Sequence, residues 1–367
     1  MGKIEQLYKE WQQLQPIKPE EQKRLDDTFR LEFNYNSNHI EGNTLTYGQT
    51  KLLFMFGETV GNAKIRDYEE MKAHNVGLEI MKSEAQDKER PLTENFIRGL
   101  NKTILVEDFW KISKMPDGAP FNYKINVGVY KTRPNSVITA SGDMFDYASP
   151  EETSALMTDL VRWYNAESEK GELTPIELAA LLHYRYIRIH PFEDGNGRIA
   201  RLLVNYVLLR HNFPMVVIKT DDKNNYLKML HLCDVETGRF PSDGAYSTVQ
   251  QIAPFIEYLT VVIADTIKTS LQLLKEQKSG TINNVWWYNG REVTIGNVKR
   301  QLLLELLFHK PQCTVRELSD KLSINKSAIQ KHLDFLKKND YITRQGGTKG
   351  KWMVNLENSA LPSGTII

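Results

Sequence analysis

The stretch His190-Pro191-Phe192-Glu193-Asp194-Gly195-Asn196-Gly197-Arg198 joins two segments with the apolar spacing of helices. Before it, Thr174-Pro175-Ile176-Glu177 combines an N-cap residue, a proline at the first helical position and a glutamate at the third, which predicts a helix running to about Arg188. After it, apolar residues recur on one face of a second predicted helix, from about Gly197 to His211. The sequence therefore predicts a helix, a polar loop and a second helix in succession.

This loop carries the residue types of a site for a polyphosphate. Its glycines lead into a helix N-terminus, whose unpaired N–H groups and positive dipole end bind anions. Arg198 and Arg201 are three residues apart, so both guanidinium groups can reach one polyphosphate. Asp194 would repel phosphate unless Mg²⁺ lay between them, which makes it the candidate metal ligand. His190, with an ordinary pKa near ~6.5, is the candidate general base for an attacking hydroxyl.

The competing interpretation is that His190 only ends a helix and that the glycines form an ordinary turn. A lone histidine would favour that interpretation. The combination of His190, Asp194, two glycines and two arginines within twelve positions argues against it.

Residues His190 to Arg201 match the signature of the Fic family, His-Pro-Phe-x-Asp/Glu-Gly-Asn-Gly-Arg-x-x-Arg, at every defined position. The chain resembles this family from about Lys124 to Tyr258. The resemblance implies a mainly α, Fic-type helical core that transfers AMP from ATP to a Ser, Thr or Tyr hydroxyl of a protein, itself included. Family members that phosphorylate instead have lysine where Gly197 stands.

By position, the resemblance makes His190 the base, Asp194 the Mg²⁺ ligand and Arg201 the partner of the γ-phosphate. Tyr226 lies where the family has groups near the nucleotide base, although a tyrosine on a helix more often packs in the core. The residues expected to contact ATP are Gly195, Asn196, Gly197, Arg198, Arg201 and Tyr226.

A turn-rich stretch from Lys124 to Ile138 interrupts the helical pattern and predicts a β-hairpin, the only sheet expected in the larger domain. It resembles the family's flap, which pairs with a target segment by strand addition. Lys131 stands where the family often has arginine. The alternative is a plain surface hairpin. The residues assigned to target docking are Gly128, Tyr130, Lys131, Val137 and Ile138.

Near the N-terminus, Ile4 to Phe33 has the pattern of a charged amphipathic helix. Thr46 and Gln49 fit a capping box that opens another helix. The sequence therefore predicts a short element between two helices at Ser37 to Gly42.

Ser37-Asn38-His39-Ile40-Glu41-Gly42 is similar to the family's inhibitory pattern, Ser/Thr-x-x-x-Glu-Gly/Asn. The resemblance implies autoinhibition by a motif made of Ser37, Glu41 and Gly42. If Glu41 pairs with Arg201, it occupies the guanidinium fork that the γ-phosphate needs. The alternative is that Glu41 is a solvated carboxylate at a helix end.

The C-terminal part resembles a winged helix-turn-helix domain. Its spacing predicts helices over Val298 to Phe308, Thr314 to Leu322 and Lys326 to Lys338, with a turn at Ser323 to Asn325. A hairpin of 341–344 and 352–354 around Gly346 to Gly350 would form the wing. DNA binding and protein contacts, including homodimerisation, are equally compatible with this unit. The polar and basic residues suited to phosphate contacts are Lys326, Gln330, Lys331, Lys337, Lys338, Arg344, Lys349 and Lys351.

Together these patterns divide the 367 residues into an N-terminal helical region (1–110, with the motif at 37–42), a Fic core (111–265), a linker (266–292) and a winged-helix-like domain (293–367). With 47 Lys plus Arg against 46 Asp plus Glu, the chain has no overall field that would attract nucleic acid or membrane. Two cysteines are too few for a disulfide framework, and the sequence shows neither a signal peptide nor a membrane span. We therefore expect a soluble, cytoplasmic protein.

Two other functions are compatible with the sequence. One is a DNA-binding regulator whose Fic domain senses a nucleotide, although a sensor would not need the base His190. The other is removal of AMP from a target, alone or together with its addition, in which Glu41 activates water.

Overall fold

The computed structural model describes residues 2–59, 62–114, 120–138, 144–238, 240–276, 285–288, 291–295, 297–322, 324–346 and 350–358. These residues divide into two compact units, 2–43 with 69–271 and 44–68 with 272–358. The helices are α1 (Gly2–Gln13), α2 (Pro19–Ile40), α3 (Tyr47–Phe56), α4 (Ile65–Gln86), α5 (Glu94–Leu105), α6 (Pro150–Lys170), α7 (Pro175–Ile189), α8 (Asn196–Arg210), α9 (Lys223–Thr237), α10 (Pro241–Ala245), α11 (Ala253–Glu276), α12 (Val298–His309), α13 (Val315–Leu322) and α14 (Lys326–Lys338).

The strands are β1 (Phe109–Lys114), β2 (Pro120–Ile125), β3 (Val137–Ile138), β4 (Met144–Phe145), β5 (Val285–Tyr288), β6 (Arg291–Thr294), β7 (Ile342–Gln345), β8 (Lys351–Val354) and β9 (Glu357–Asn358). The predicted mainly α fold is therefore confirmed. Among the helices in the described ranges, none combines the length and apolarity needed to cross a membrane.

The core of the first unit is built around α7 and α8, which pack against each other. The predicted start of α7 is confirmed, since the Thr174 hydroxyl accepts from the Glu177 N–H while the Glu177 carboxylate accepts from the Thr174 N–H. Leu182 and Leu202 are fully buried, as expected for helices surrounded by other elements. Each such leucine contributes about 1.5–3 kcal/mol through burial. The two helices thus fix the ends of the loop at residues 190–195.

The N-terminal region differs from its prediction. Two helices, α1 and α2, replace the single helix expected over Ile4 to Phe33. The prediction of a separate element at Ser37 to Gly42 was also wrong, because α2 continues to Ile40. Its asparagines do not break the helix because their side-chain amides donate to carbonyls four residues earlier, for example from Asn38 to Asn34 at 2.8 Å. The helix ends at Ile40, and Gly42, two residues later, has φ +95°.

The hairpin of the first unit also lies elsewhere than predicted. β1 pairs antiparallel with β2, and β3 pairs with β4, so there are two small sheets in the described part of this unit. Residues 126–136, expected within the hairpin, contain no strand. Their polar groups form hydrogen bonds with neighbouring elements instead. For example, Gly128 adopts φ +71°, and its N–H donates to the Asn101 side chain at 2.8 Å.

The second unit has the predicted winged-helix elements. α12, α13 and α14 begin and end within a residue of their predicted bounds, and β7 pairs antiparallel with β8 as the wing. Ser323 of the predicted turn and residues 347–349 of the wing lie outside the described residues. The core of this unit contains Leu303, Leu307, Ile329, Leu333 and Trp352.

The compact units do not coincide with the sequence-based segments. Residues 44–68 pack with the C-terminal helices, and Leu52 of α3 is buried in their core. α11 extends to Glu276 and β5 begins at Val285, both inside the predicted linker at 266–292; residues 277–284 and 289–290 of that linker lie outside the described part. The domain boundaries drawn from the sequence remain predictions.

The position of Leu52 leads to a stability prediction. Leu52→Ala should destabilise the second unit by about 2–5 kcal/mol, as large-to-small changes in a core do. Hydrogen exchange of peptides from α12 and α14 would measure the loss of protection. Met55→Ala on the same helix, at a side chain 44% exposed, is the matched control and should have little effect. Equal protection in the two variants would contradict the assignment of α3 to this core.

Candidate functional site

The loop between α7 and α8 is held in a closed conformation by its own side chains. His190 is the C-cap of α7 and lies in the left-handed region, at φ +51°, and Gly195 is the N-cap of α8, at φ +83°. The Asn196 side chain donates to the Phe192 carbonyl at 2.7 Å and accepts from the Phe192 N–H at 3.0 Å. Both polar atoms of this side chain are thus used inside the loop.

The imidazole of His190 lies beside the ring of Tyr147, with the centroids 3.9 Å apart and the planes tilted by 36°. Burial, together with the Lys131 ammonium, lowers the pKa of His190 to about 3. The Nδ1 atom is buried and has no well-aligned hydrogen-bond partner among the described residues. The nearby Ile187 backbone stabilises the protonated imidazole and so opposes the lowering of the pKa. His190 is therefore neutral at pH 7.

Arg198 and Arg201 of α8 are buried, with 4% and 3% of their surface exposed. Arg198 pairs with Glu70 of α4 at 3.2 Å and lies 3.6 Å from the Asp194 carboxylate. Arg201 donates through Nε to the Ser37 hydroxyl at 3.0 Å and through Nη2 to the Ser37 carbonyl at 2.8 Å. Both guanidinium groups are thus fixed by hydrogen bonds to neighbouring elements before any ligand binds.

Glu41, just beyond the end of α2, lies at the N-terminus of α8. Its Oε1 atom accepts from Arg201 Nη2 at 2.8 Å. A Cβ atom added at Gly197 would overlap this carboxylate. The Glu41 carboxylate therefore occupies the space directly above the backbone of the first turn, where a helix binds anions.

Asp194 lies at the edge of the same site. Its carboxylate accepts from the Gly195 N–H at 2.6 Å and from Lys111 Nζ of β1 at 3.1 Å. Burial opposes ionisation, but Lys111, Arg198 and the Gly195 N–H outweigh it and keep the pKa of Asp194 below its usual range. The side chain keeps a quarter of its surface exposed and is ionised, as a metal ligand must be. One carboxylate with phosphate oxygens is a usual donor set for Mg²⁺.

The other predicted site residues are placed differently. Tyr226 is buried, its hydroxyl lies 2.8 Å from His183 Nε2, and its ring packs in the core beside Arg201. The prediction that Gly128, Tyr130 and Lys131 lie on a hairpin strand was wrong. Tyr130 donates to Glu94 at 2.8 Å and packs on Phe192.

The remaining flap residues, Val137 and Ile138, do form a strand, and it pairs with β4. Lys131 is buried and points inward, where burial lowers its pKa to about 7. Its backbone N–H donates to the Pro191 carbonyl at 2.8 Å. The segment around Lys131 therefore stabilises the backbone of the loop at residues 190–195.

The structure thus brings together eight predicted residues from two segments that lie about 150 positions apart in sequence. It also adds residues that the motifs did not reveal: Asn101 donates to the Asp194 carbonyl, and Arg133 pairs with Glu193 at 3.1 Å. Neither a single asparagine in a helix nor a single arginine in a turn-rich stretch carries a signal of such contacts, because the partners are 60 or more positions away. The predicted residues brought together are Ser37, Glu41, His190, Asp194, Gly195, Gly197, Arg198 and Arg201.

Family models match a part of each unit. Residues 91–208 match the model of the Fic/DOC family, and residues 297–344 match that of the arsR family of bacterial regulatory proteins. The chain is 64% identical to a Fic domain containing signaling protein from Bacteroides thetaiotaomicron, whose crystal structure aligns with a TM-score of 0.70 over 74% of this chain and 97% of that one.

Curated relatives are more distant. The chain is 27% identical to protein adenylyltransferase fic-1 from Caenorhabditis briggsae over 71% of this chain and 44% of the relative. It is 30% identical to protein adenylyltransferase Fic from Nematostella vectensis over 54% of this chain and 42% of the relative. The chain thus spans less than half the length of these two relatives.

The lowered pKa of His190 predicts that its imidazole stays neutral down to about pH 5. In an unfolded chain the pKa is about 6.5. Between pH 6.5 and 3 the imidazole is protonated in the unfolded state but neutral in the folded state. The free energy of unfolding therefore decreases as the pH falls from 6.5 towards 3. NMR titration of ¹⁵N-labelled histidines, with His190→Gln to assign the signal, measures this directly. A midpoint near 6.5 would contradict the environment described.

Proposed function

The chain belongs to the Fic/DOC family, and from that premise we propose that it is a protein adenylyltransferase, held in an inhibited state by Glu41. Its substrates are ATP and a Ser, Thr or Tyr hydroxyl of a protein, which includes its own surface. The observation that carries the proposal is the Glu41 carboxylate, paired with Arg201 above Gly197. Relatives named as adenylyltransferases support the reaction class.

In the proposed reaction, the hydroxyl oxygen attacks the α-phosphorus of ATP. The bond from that phosphorus to the bridging oxygen of the β-phosphate breaks, and pyrophosphate leaves. The hydroxyl proton passes to the neutral imidazole of His190. Arg198 and Arg201, with the N–H groups at the start of α8, bind the phosphates. Asp194 would hold Mg²⁺, which supplies charge neutralisation for the polyphosphate when bound.

Inhibition follows from competition for one cation. Arg201 is almost fully buried, so it cannot reach a phosphate in another direction without leaving Ser37 and Glu41. A γ-phosphate at Arg201 would overlap the Glu41 carboxylate and be repelled by it. ATP could then bind only in a displaced position, with the α-phosphate out of line with the hydroxyl.

Glu41→Gly should therefore increase transfer. Charge-assisted hydrogen bonds contribute about 1.5–3 kcal/mol, so the increase should be about tenfold or more. Intact-mass measurement of AMP incorporation with saturating ATP and Mg²⁺ gives the rate, with other nucleotides as substrate controls. His190→Ala in the same background should lower it by about 10²–10⁴-fold. Equal rates for wild type and Glu41→Gly would reject the inhibitory role.

Two further variants separate a competing carboxylate from a loosened helix. Arg201→Ala should not activate, because it removes the partner of Glu41 and of the phosphate together, and the double variant should behave like Arg201→Ala alone. Glu20→Gly, at an exposed residue in the first turn of α2, weakens the same helix without touching the site and should leave the rate low. Release of AMP by the wild type, but not by Glu41→Gly, would favour AMP removal instead.

We also propose that the second unit binds DNA. The support is the match to the arsR family of regulators, together with the exposed first turns of α14, which carry Lys326, Gln330 and Lys331.

DNA affinity should fall steeply with salt, and replacing both Lys326 and Lys331 by Gln should reduce the salt slope by about two, since each phosphate contact contributes about one. Fluorescence anisotropy with duplex DNA at several salt concentrations measures the slope. Lys228→Gln, at an exposed lysine of α9 in the first unit, is the control. Binding that does not depend on salt would instead favour protein contacts for this unit.

A further inference from the structure

The backbone around His190, at the start of the loop, depends on contacts from another part of the chain. His190 has φ +51°, and a residue other than glycine adopts this region at a cost that surrounding contacts must offset. Pro191 has no N–H group to donate. The His190 N–H is already used, since it donates to the Tyr186 carbonyl at 2.9 Å. The carbonyl groups of the loop therefore need donors from another part of the chain.

Lys131 and Asn135 supply these donors to four consecutive carbonyl groups. Lys131 donates through Nζ to Ile189 at 3.0 Å and through its backbone N–H to Pro191 at 2.8 Å. The Asn135 amide donates to His190 at 3.1 Å and to Phe192 at 2.9 Å. Lys131 Nζ also donates to the Asn135 Oδ1 atom at 2.9 Å, which fixes the direction of the amide.

Asn135 has the more specific position of the two. Its amide bridges Pro191, contacting the carbonyl of His190 itself and that of Phe192. Phe192 also accepts from Asn196 at 2.7 Å, so the same carbonyl connects the amide to the first residue of α8. Rotation of the His190 peptide group would break the Asn135 contact and turn the imidazole with it.

We propose that Asn135 is a positioning residue for the proton acceptor, holding the His190 peptide group so that the imidazole faces the hydroxyl to be modified. This inference rests on the proposed function for the direction of its kinetic effect. Asn135 acts through His190 and touches no reacting atom. Its hydrogen bonds go to Lys131, His190 and Phe192, whereas Arg198 and Arg201 are held by α2 and α4. Its loss should therefore lower the rate of transfer and leave nucleotide affinity unchanged.

Asn135→Asp in the full-length Glu41→Gly chain is the sharpest test. The side chain keeps its size and its acceptor for Lys131 but loses the donor to both carbonyl groups. The single-turnover rate of AMP transfer should fall by about 10- to 100-fold, the scale of a displacement near 1 Å. The dissociation constant of a fluorescent ATP analogue should stay within about twofold. Asn135→Ala, which adds no charge, should give the same pattern, while Asn122→Asp on exposed β2 should change neither quantity.

A rate equal to that of the parent would overturn the proposal, as would a loss of affinity as large as the loss of rate. If the Glu41→Gly chain transfers no AMP, the proposed function fails. Amide hydrogen exchange then tests separately whether Asn135 holds the His190 peptide group. Asn135→Asp should speed exchange in a peptide containing 186–193 without changing a peptide from the middle of α8. Unchanged exchange in both peptides would overturn the positioning role independently of activity.

Discussion

The burial of two arginines in the core of the first unit constrains everything around them. A guanidinium group stays charged, so removing it from water is costly unless acceptors surround it. Arg198 and Arg201 obtain these acceptors from Glu70, Asp194, Ser37 and Glu41. The elements that supply them, α2, α4 and the loop before α8, must therefore lie where they do. The same charges that demand partners in the fold are those that would bind the phosphates of a nucleotide.

This double role connects the proposed inhibition to the stability of the fold. Arg201 has its acceptors in the structure because Glu41 and Ser37 provide them, so its buried charge is satisfied without a ligand. Under the proposed function, a nucleotide would replace one anion by another at the same cation. Replacement of the single carboxylate of Glu41 would then shift the balance between the two arrangements.

Much of the fold could be predicted because it depends on local chemistry. The start of α7, the loop, the start of α8 and the winged-helix elements each have their signals within a few residues. The predictions that were wrong share a physical cause: side-chain and backbone polar groups found partners that the local sequence pattern does not show. The asparagines of α2 suggested a break, but their amides bind the preceding turn. The stretch from Lys124 to Ile138 suggested a hairpin, but its polar groups bind the loop at His190 and α5, partners that no local pattern reveals.

The sequence by itself determined the identity of the chemical groups: a histidine, a carboxylate and two arginines at fixed spacing before and within one helix. That spacing suffices because a loop and the first turn of a helix have nearly fixed geometry. Only the tertiary structure decided that Glu41 lies above Gly197, that Asn135 holds the His190 peptide group, and that Tyr226 is buried in the core. These arrangements depend on how distant segments pack, and packing follows from the balance of many contacts across the whole unit.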